Sequence, residues 1–381
     1  MTDYWQIMFW LAVTALGGAF LGYPAVIYLF GRRWPKPVTM TTPANLPQVT
    51  ILLVVHNEEN SIEARLRNLL AADYPSETLQ VVVVSDGSVD RTVERVRALA
   101  DPRVILLERP IRQGKAAGLN QGLALAAGEV VVFADARQTF DSQAVARLVR
   151  NFRDPRVGAV SGNYTMNPSA SNVGGGVDAY WRLEKFIRRA ESLYDSSVGV
   201  TGAIYAIRRR LFRELPNDTI LDDVVIPMQV ALAGYRVVFE PEALAFDPRA
   251  VEPGREFVRK RRTLAGNFQM LFRYWRWCLP WHNRLWWQLI GHKYSRLAAP
   301  LFLAAALGAN AALCARPFYA WLLGAQGLFY LLAASGILFR RLRIPVFTLP
   351  AGFVFLNAMT VAAFWHYLFG QWRQGWQKVE S

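Results

Sequence analysis

Five ionisable side chains of this 381-residue chain sit where charge chemistry can be done: Asp86, Lys115, Asp135, Asp222 and Asp223. Gly128 to Gln138, Gly-Glu-Val-Val-Val-Phe-Ala-Asp-Ala-Arg-Gln, reads as a β-branched strand buried on both faces that delivers Asp135 to its carboxyl end. In an open parallel sheet ligands bind at that edge, so an acid there can hold a metal or a phosphate-linked cation. Taken alone, it reads equally as the cap of the next helix. Ser85-Asp86-Gly87-Ser88 lets the chain turn sharply while the carboxylate accepts a hydrogen bond, for example from a base imide N–H. In Gln113-Gly114-Lys115 a lysine at a helix start can neutralise a diphosphate, helped by the positive end of the helix dipole. Its spacing is not that of a P-loop. Asp222 and Asp223 open a helix expected over Val224 to Ala233, and a doubled N-terminal cap is their plain structural reading.

The elements that must position these groups alternate. Strands are expected at Val49 to Val55, Gln80 to Ser85 and Val130 to Ala134, with helices near Ser61 to Leu70, Thr92 to Ala100 and Ala116 to Ala127. That order implies βαβ units, a parallel sheet and right-handed crossovers. Beyond Asp154 the pattern is mixed, with strands at Val157 to Asn163 and Gly202 to Ile207.

The chain is more apolar (53%) and less charged (19%) than soluble domains, where about a quarter of residues are charged. Trp5 to Phe30 is long enough to cross a bilayer, and is followed by Gly31-Arg32-Arg33-Trp34-Pro35-Lys36. It reads as an uncleaved anchor (1–34) with Met1 outside and Arg32 onward in the cytoplasm. A Pro/Thr-rich linker (35–47) leads to an α/β domain (48–267), then to interface helices (268–296) rich in Arg, His and Trp. Three further spans are expected at Leu297 to Cys314, Pro317 to Phe339 and Pro345 to Phe369, with Arg340-Arg341-Leu342-Arg343 inside and Ser381 outside. Basic loops facing an anionic leaflet account for the net charge of +14, and no nucleic-acid motif is present. Two cysteines, Cys278 and Cys314, support neither a disulfide framework nor a Cys-based zinc site, and four histidines form no HExxH pair.

The motifs in order, Val-Val-His-Asn-Glu-Glu, Ser-Asp-Gly-Ser-Val-Asp, Gly-Lys-Ala-Ala-Gly-Leu-Asn-Gln-Gly, Phe-Ala-Asp-Ala-Arg, Val-Thr-Gly-Ala and Leu-Asp-Asp, resemble those of the inverting family-2 glycosyltransferases, in the membrane-bound branch of cellulose and hyaluronan synthases. The resemblance covers about Val49 to Asn267. It implies a GT-A fold, a Rossmann-like mixed sheet with helices on both faces, joined to an α-helical transmembrane region. It further implies a nucleoside-diphosphate sugar donor, expected to be a UDP-sugar. Val55, Glu58 and Asp86 would hold base and ribose, and Lys115, with Asn120 in the same motif, would lie near the diphosphate. Ala134, Asp135 and Arg137 belong to the DxD segment, where Asp135 would bind a divalent ion, Mg²⁺ or Mn²⁺. Thr201, Gly202 and Ala203 would line the acceptor terminus, and Asp223, beside Asp222, matches the general base. Arg262 closes the run that falls where the family has Gln-x-x-Arg-Trp.

Three departures stand out. Arg137 replaces the second Asp of DxD, removing one metal ligand and offering a charge-assisted phosphate donor. The Gln-x-x-Arg-Trp signature survives only as Arg259-Lys260-Arg261-Arg262-Thr263, without the Trp that would stack on an acceptor sugar during processive synthesis. Ser85 replaces an acid often found before Asp-Gly-Ser, leaving base selectivity open. The acceptor is then a growing glycan or a lipid-linked molecule. A nucleotide-binding scaffold without turnover is the third reading. A polymerase with four spans would be expected to form a homo-oligomer.

Overall fold

The protein, in a computed structural model, is described at residues 2–39, 46–166, 172–247, 253–339 and 344–370. Among the described residues, eight strands form one mixed sheet: β1 Val49–Val55, β2 Leu79–Asp86, β3 Val104–Arg109, β4 Val130–Ala134, β5 Thr139–Phe140, β6 Val157–Met166, β7 Ile204–Arg208 and β8 Arg236–Asp247. Their order is β3-β2-β1-β4-β7-β6-β8-β5. The first four are parallel, β7 runs antiparallel between β4 and β6, and β8 lies parallel to β6 and antiparallel to β5.

Because strand side chains alternate, β1 feeds two cores. Leu52 and Val54 join Val82, Val84, Val131 and Phe133 beneath the helices Lys115–Leu125 and Asp222–Leu232. Ile51, Leu53 and Val55 face the helices Ile62–Leu70 and Ala144–Arg150. Burial on both faces explains the unbroken apolar run. The β2-β1-β4 order reverses chain direction around β1, so the crevice beyond the carboxyl ends of β1 and β4 is the switch point at which such sheets take ligands.

Among the described residues, three helices are long and apolar enough to cross a membrane: Asp3–Arg33, Pro317–Leu338 and Pro345–Leu368. The expected span Leu297 to Cys314 falls on the second half of a bent pair of helices. Ala299–Ala312 has 14 residues, about 21 Å at 1.5 Å per residue and short of a ~30 Å hydrocarbon core. It pairs with Trp286–Leu297 across a 57° bend, as a broken span or a re-entrant segment. Pro300 lacks an amide proton and is set for the first turn of a helix, so the second helix starts afresh there. Phe9 and Ala12 of the first span pack on Ala306, Ala309 and Leu313. The helix Asn172–Tyr194 lies against the first span, with Ile187 and Ala190 on Tyr23 and Ile27. The basic run Arg340 to Arg343, residues 40–45 of the linker and the tail from 371 lie outside the described residues.

Candidate active site

The Lys115 ammonium is the hub. Its Nζ donates to Asp135 Oδ1 at 3.1 Å and lies 3.2 Å from Asp222 Oδ2, near enough to pair but not aligned as a hydrogen bond. Burial alone would lower this ammonium, but Asp135, Asp222 and Asp223 outweigh it and hold it above the ordinary lysine value. It stays charged at the amino end of Lys115–Leu125, where helix amides also favour an anion. Gly114 enters that helix at φ +94°, a conformation that a Cβ would strain.

Asp86 holds this entrance. Wholly buried, it accepts from the Gln113 and Gly114 amides at 2.9 and 2.8 Å and pairs with Arg109 at 3.0 Å. Both oxygens face protein donors, so the carboxylate shapes the turn that opens Lys115–Leu125; a base imide would have to compete for it. At the end of β1, Asn57 takes φ 52°, and its amide proton goes to Ser88 Oγ. Glu58 Oε1 pairs with Arg137 at 3.2 Å. Val55 and Ala134 are buried at the ends of β1 and β4. Asn120 turns the other way. Its amide exchanges two hydrogen bonds with the Leu215 backbone, a clamp between segments.

Asp222 and Asp223 open their helix beside the loop before β7. The Val200 amide donates to the Asp223 carbonyl, and a Cβ on Gly202 would sit 3.0 Å from Asp223 Oδ2, so only glycine brings backbone this close to the carboxylate. Thr201 is fixed by Ser161 and Arg188, and Ala203 is buried behind it. The Asp223 carboxyl is pushed up to about 6, first by burial and then by Asp222, against the pull of Lys115, Arg188 and Lys293. Tyr205 lies wholly buried below the acids, stacked on Phe133 at 4.4 Å; burial, then Asp222, Asp223 and Asp135, keep its hydroxyl protonated.

Thus Lys115, Asp135, Asp222, Asp223 and Gly202 come together around one crevice, with Asp86 one step behind. Arg262 is exposed on the helix Pro253–Arg273, and Lys260 turns over the Tyr180 and Trp181 rings at 4.5 and 4.7 Å. The Arg259 side chain lies outside the described residues. Tyr205, Arg188 and Arg65, which donates to the Asp135 carbonyl, escaped the sequence reading. Only Tyr205, two residues past Ala203, carried a signal of position.

No group of three His, Cys, Asp or Glu side chains able to hold a metal occurs among the described residues. Asp135 nevertheless keeps 41% of its side chain exposed while one oxygen holds Lys115. One carboxylate suits a magnesium-like ion that completes its shell with substrate phosphates and water, so the donor set fits a metal delivered with a diphosphate.

Residues 50–216 match the family model Glycosyl transferase family 2. The chain carries a family 2 glycosyltransferase domain. The chain is similar to poly-β-1,6-N-acetyl-D-glucosamine synthases. The Staphylococcus aureus protein is 28% identical over 60% of this chain and 56% of its own length, and that of Staphylococcus epidermidis 25% identical over 65% and 62%. The match thus spans little more than half of these relatives. Among solved structures, the mannosyltransferase PcManGT from Pyrobaculum calidifontis, in complex with GDP-Man and Mn²⁺, is 27% identical with a TM-score of 0.73, covering 96% of this chain and 99% of its own. With the mixed sheet, this likeness identifies the glycosyltransferase domain as GT-A.

Proposed function

We propose that the protein is a membrane-embedded, inverting glycosyltransferase that moves one sugar from a nucleoside-diphosphate sugar to an acceptor hydroxyl presented at the cytoplasmic membrane face. The observation that carries this reading is the convergence of Lys115, Asp135 and Asp223 with Gly202 at the switch point of the sheet. The donor diphosphate lies at the amino end of Lys115–Leu125, where Lys115 and the helix amides meet the charge that builds up as it departs. Asp135 holds Mg²⁺ or Mn²⁺, which supplies further positive charge to the leaving group when bound. Asp223 takes the proton of the acceptor hydroxyl, and Gly202 leaves space for that hydroxyl beside it. Attack from the face opposite the diphosphate inverts the anomeric centre.

Single transfer is favoured over polymerisation because the Trp of the processive signature is missing. The relatives named as polysaccharide synthases favour polymerisation. The donor expected from the sequence is a UDP-sugar, and the GDP-Man in PcManGT favours a guanine nucleotide instead. The full chain in detergent, given labelled UDP- and GDP-sugars with Mg²⁺ or Mn²⁺ and a membrane extract, tests this. One donor should give a product carrying one added sugar. A product ladder would establish the polymerase. Absence of transfer and of donor hydrolysis with every donor would leave only the nucleotide-binding scaffold.

A further inference from the structure

Arg137 has no part in the transfer described above, although it lies two residues past Asp135. It links the loop after β4 to the loop after β1, its Nε donating to Glu58 Oε1 at 3.2 Å. Those two strands are neighbours and end at the switch point of the sheet. Both sides of the link are anchored. Glu58 is nearly buried; its amide donates to Thr92 Oγ1 at 2.8 Å and its second oxygen accepts from Ser61 Oγ at 2.7 Å. On the Arg137 side, Arg65 Nε donates to the Asp135 carbonyl at 3.0 Å and Gln138 Nε2 to Asp247 Oδ2 at 3.2 Å, which ties the chain before and after the arginine.

The guanidinium is used on one edge only. Nε is committed to Glu58, Arg137 makes no other hydrogen bond or ion pair among the described residues, and 32% of its side chain is exposed. Glu58 thus orients the group and leaves Nη1 and Nη2 as a parallel pair of donors, the geometry that takes two phosphate oxygens at once. Two residues span at most about 7 Å, so this fork belongs to the same end of the crevice as Asp135 and the Lys115 ammonium paired with it. An acid in place of Arg137 would meet a diphosphate only through an ion. A guanidinium needs none.

We propose that Arg137 binds the donor diphosphate directly, with Glu58 as its positioning residue, and gives the protein a share of nucleotide affinity that requires no metal. This rests on the transferase reading above and names how its donor is held. The test is binding without turnover: UDP and GDP are titrated calorimetrically into the full chain in detergent, once in EDTA and once in Mn²⁺. The diphosphate that binds in Mn²⁺ should bind in EDTA as well, more weakly. Arg137→Gln should lower the EDTA affinity by about fivefold or more, less than the loss of a buried charge-assisted bond because the side chain is partly exposed. Arg137→Asp should leave binding in Mn²⁺ alone. If Arg137→Gln does not fold, Arg137→Lys serves, since it keeps a cation for Glu58 and loses only the fork. Unchanged EDTA affinity in the variants would make Arg137 and Glu58 a structural pair and overturn the proposal, as would wild-type binding that vanishes in EDTA. The Mn²⁺ titration separates the two failures: where binding persists there, only this inference falls, and where neither diphosphate binds in either medium the transferase reading falls with it.

Discussion

Asp223→Asn should remove turnover while making the protein more heat-stable. The Asp223 carboxyl rises from 3.8 to about 6 in the fold, about two units, or about 3 kcal/mol against the ionised form at neutral pH. Asparagine keeps the shape and drops the charge. Since an amide at this partly buried position also loses some solvation, we take about 1–3 kcal/mol, a rise in Tm of about 2–10 °C for a domain of this size. The sign fixes the pH window. A carboxyl whose folded value lies above its unfolded one contributes its full stability below about pH 4 and loses it as pH climbs through about 6. The Tm gap between variant and wild type should therefore be small at pH 4.5 and widest above pH 7.

On the proposed mechanism the same group sets the rate. Losing a general base lowers kcat by about 10²–10⁴-fold. Wild-type kcat/KM should fall on the acid side with an apparent value near 6, while donor affinity in the variant stays within about twofold, because the base acts on the acceptor. Transfer kinetics from pH 5 to 8 and thermal melts on the same preparations decide this. Full turnover by Asp223→Asn, or a Tm gap that ignores pH, would refute the reasoning.

Three further outcomes follow from the same contacts. Lys115→Met removes the cation shared by Asp135 and Asp222, so donor affinity should fall by about tenfold or more and the acid limb move to higher pH, read by titration and pH–rate profiles. Tyr205→Phe keeps the stack on Phe133 but removes the hydroxyl under the acids; melting should change little while kcat drops by about two- to tenfold, a pattern that steady-state kinetics can separate from a folding defect. Mn²⁺ alone should barely stabilise the protein, whereas Mn²⁺ with a nucleoside diphosphate should do so strongly, and Asp135→Ala should abolish the difference in thermal shift.

How far the sequence could be read depended on where each element lies. Val49–Val55 and Val130–Ala134 announced themselves because both faces are buried, which demands an unbroken β-branched run. Val104–Arg109 sits at the sheet edge, half exposed, and its apolar run is cut to four residues, Val104 to Leu107, by Glu-Arg, too short to stand out. Three consecutive glycines early in Asn172–Tyr194 concealed a helix of 23 residues, whose stability comes from packing on the first span. Residues at strand ends, Asp135 and Asp86, were legible because the sheet puts them there. Arg188, Glu184 and His292 were not: the Glu184–His292 contact joins positions 108 apart, and no local periodicity encodes such a pairing.

The charge in the crevice explains why its cations are divided as they are. Asp135, Asp222 and Asp223 surround a single ammonium, so the site is anionic before any donor arrives. A diphosphate brings about two more negative charges, and Lys115 cannot balance both sets in a partly dry site. With Arg137 standing where a second metal-binding carboxylate would be, fewer carboxylates are left to hold an ion without the donor, and one guanidinium lies nearby, paired to Glu58. The ion and the diphosphate then each supply what the other lacks, which makes their binding mutually dependent. Toward the membrane helices the balance shifts: Arg188, Lys293 and Arg296 stand against Glu184 and Glu191. Asp223 stands between the two fields, and it is the acid whose proton affinity they tune toward the value that a base needs near neutral pH.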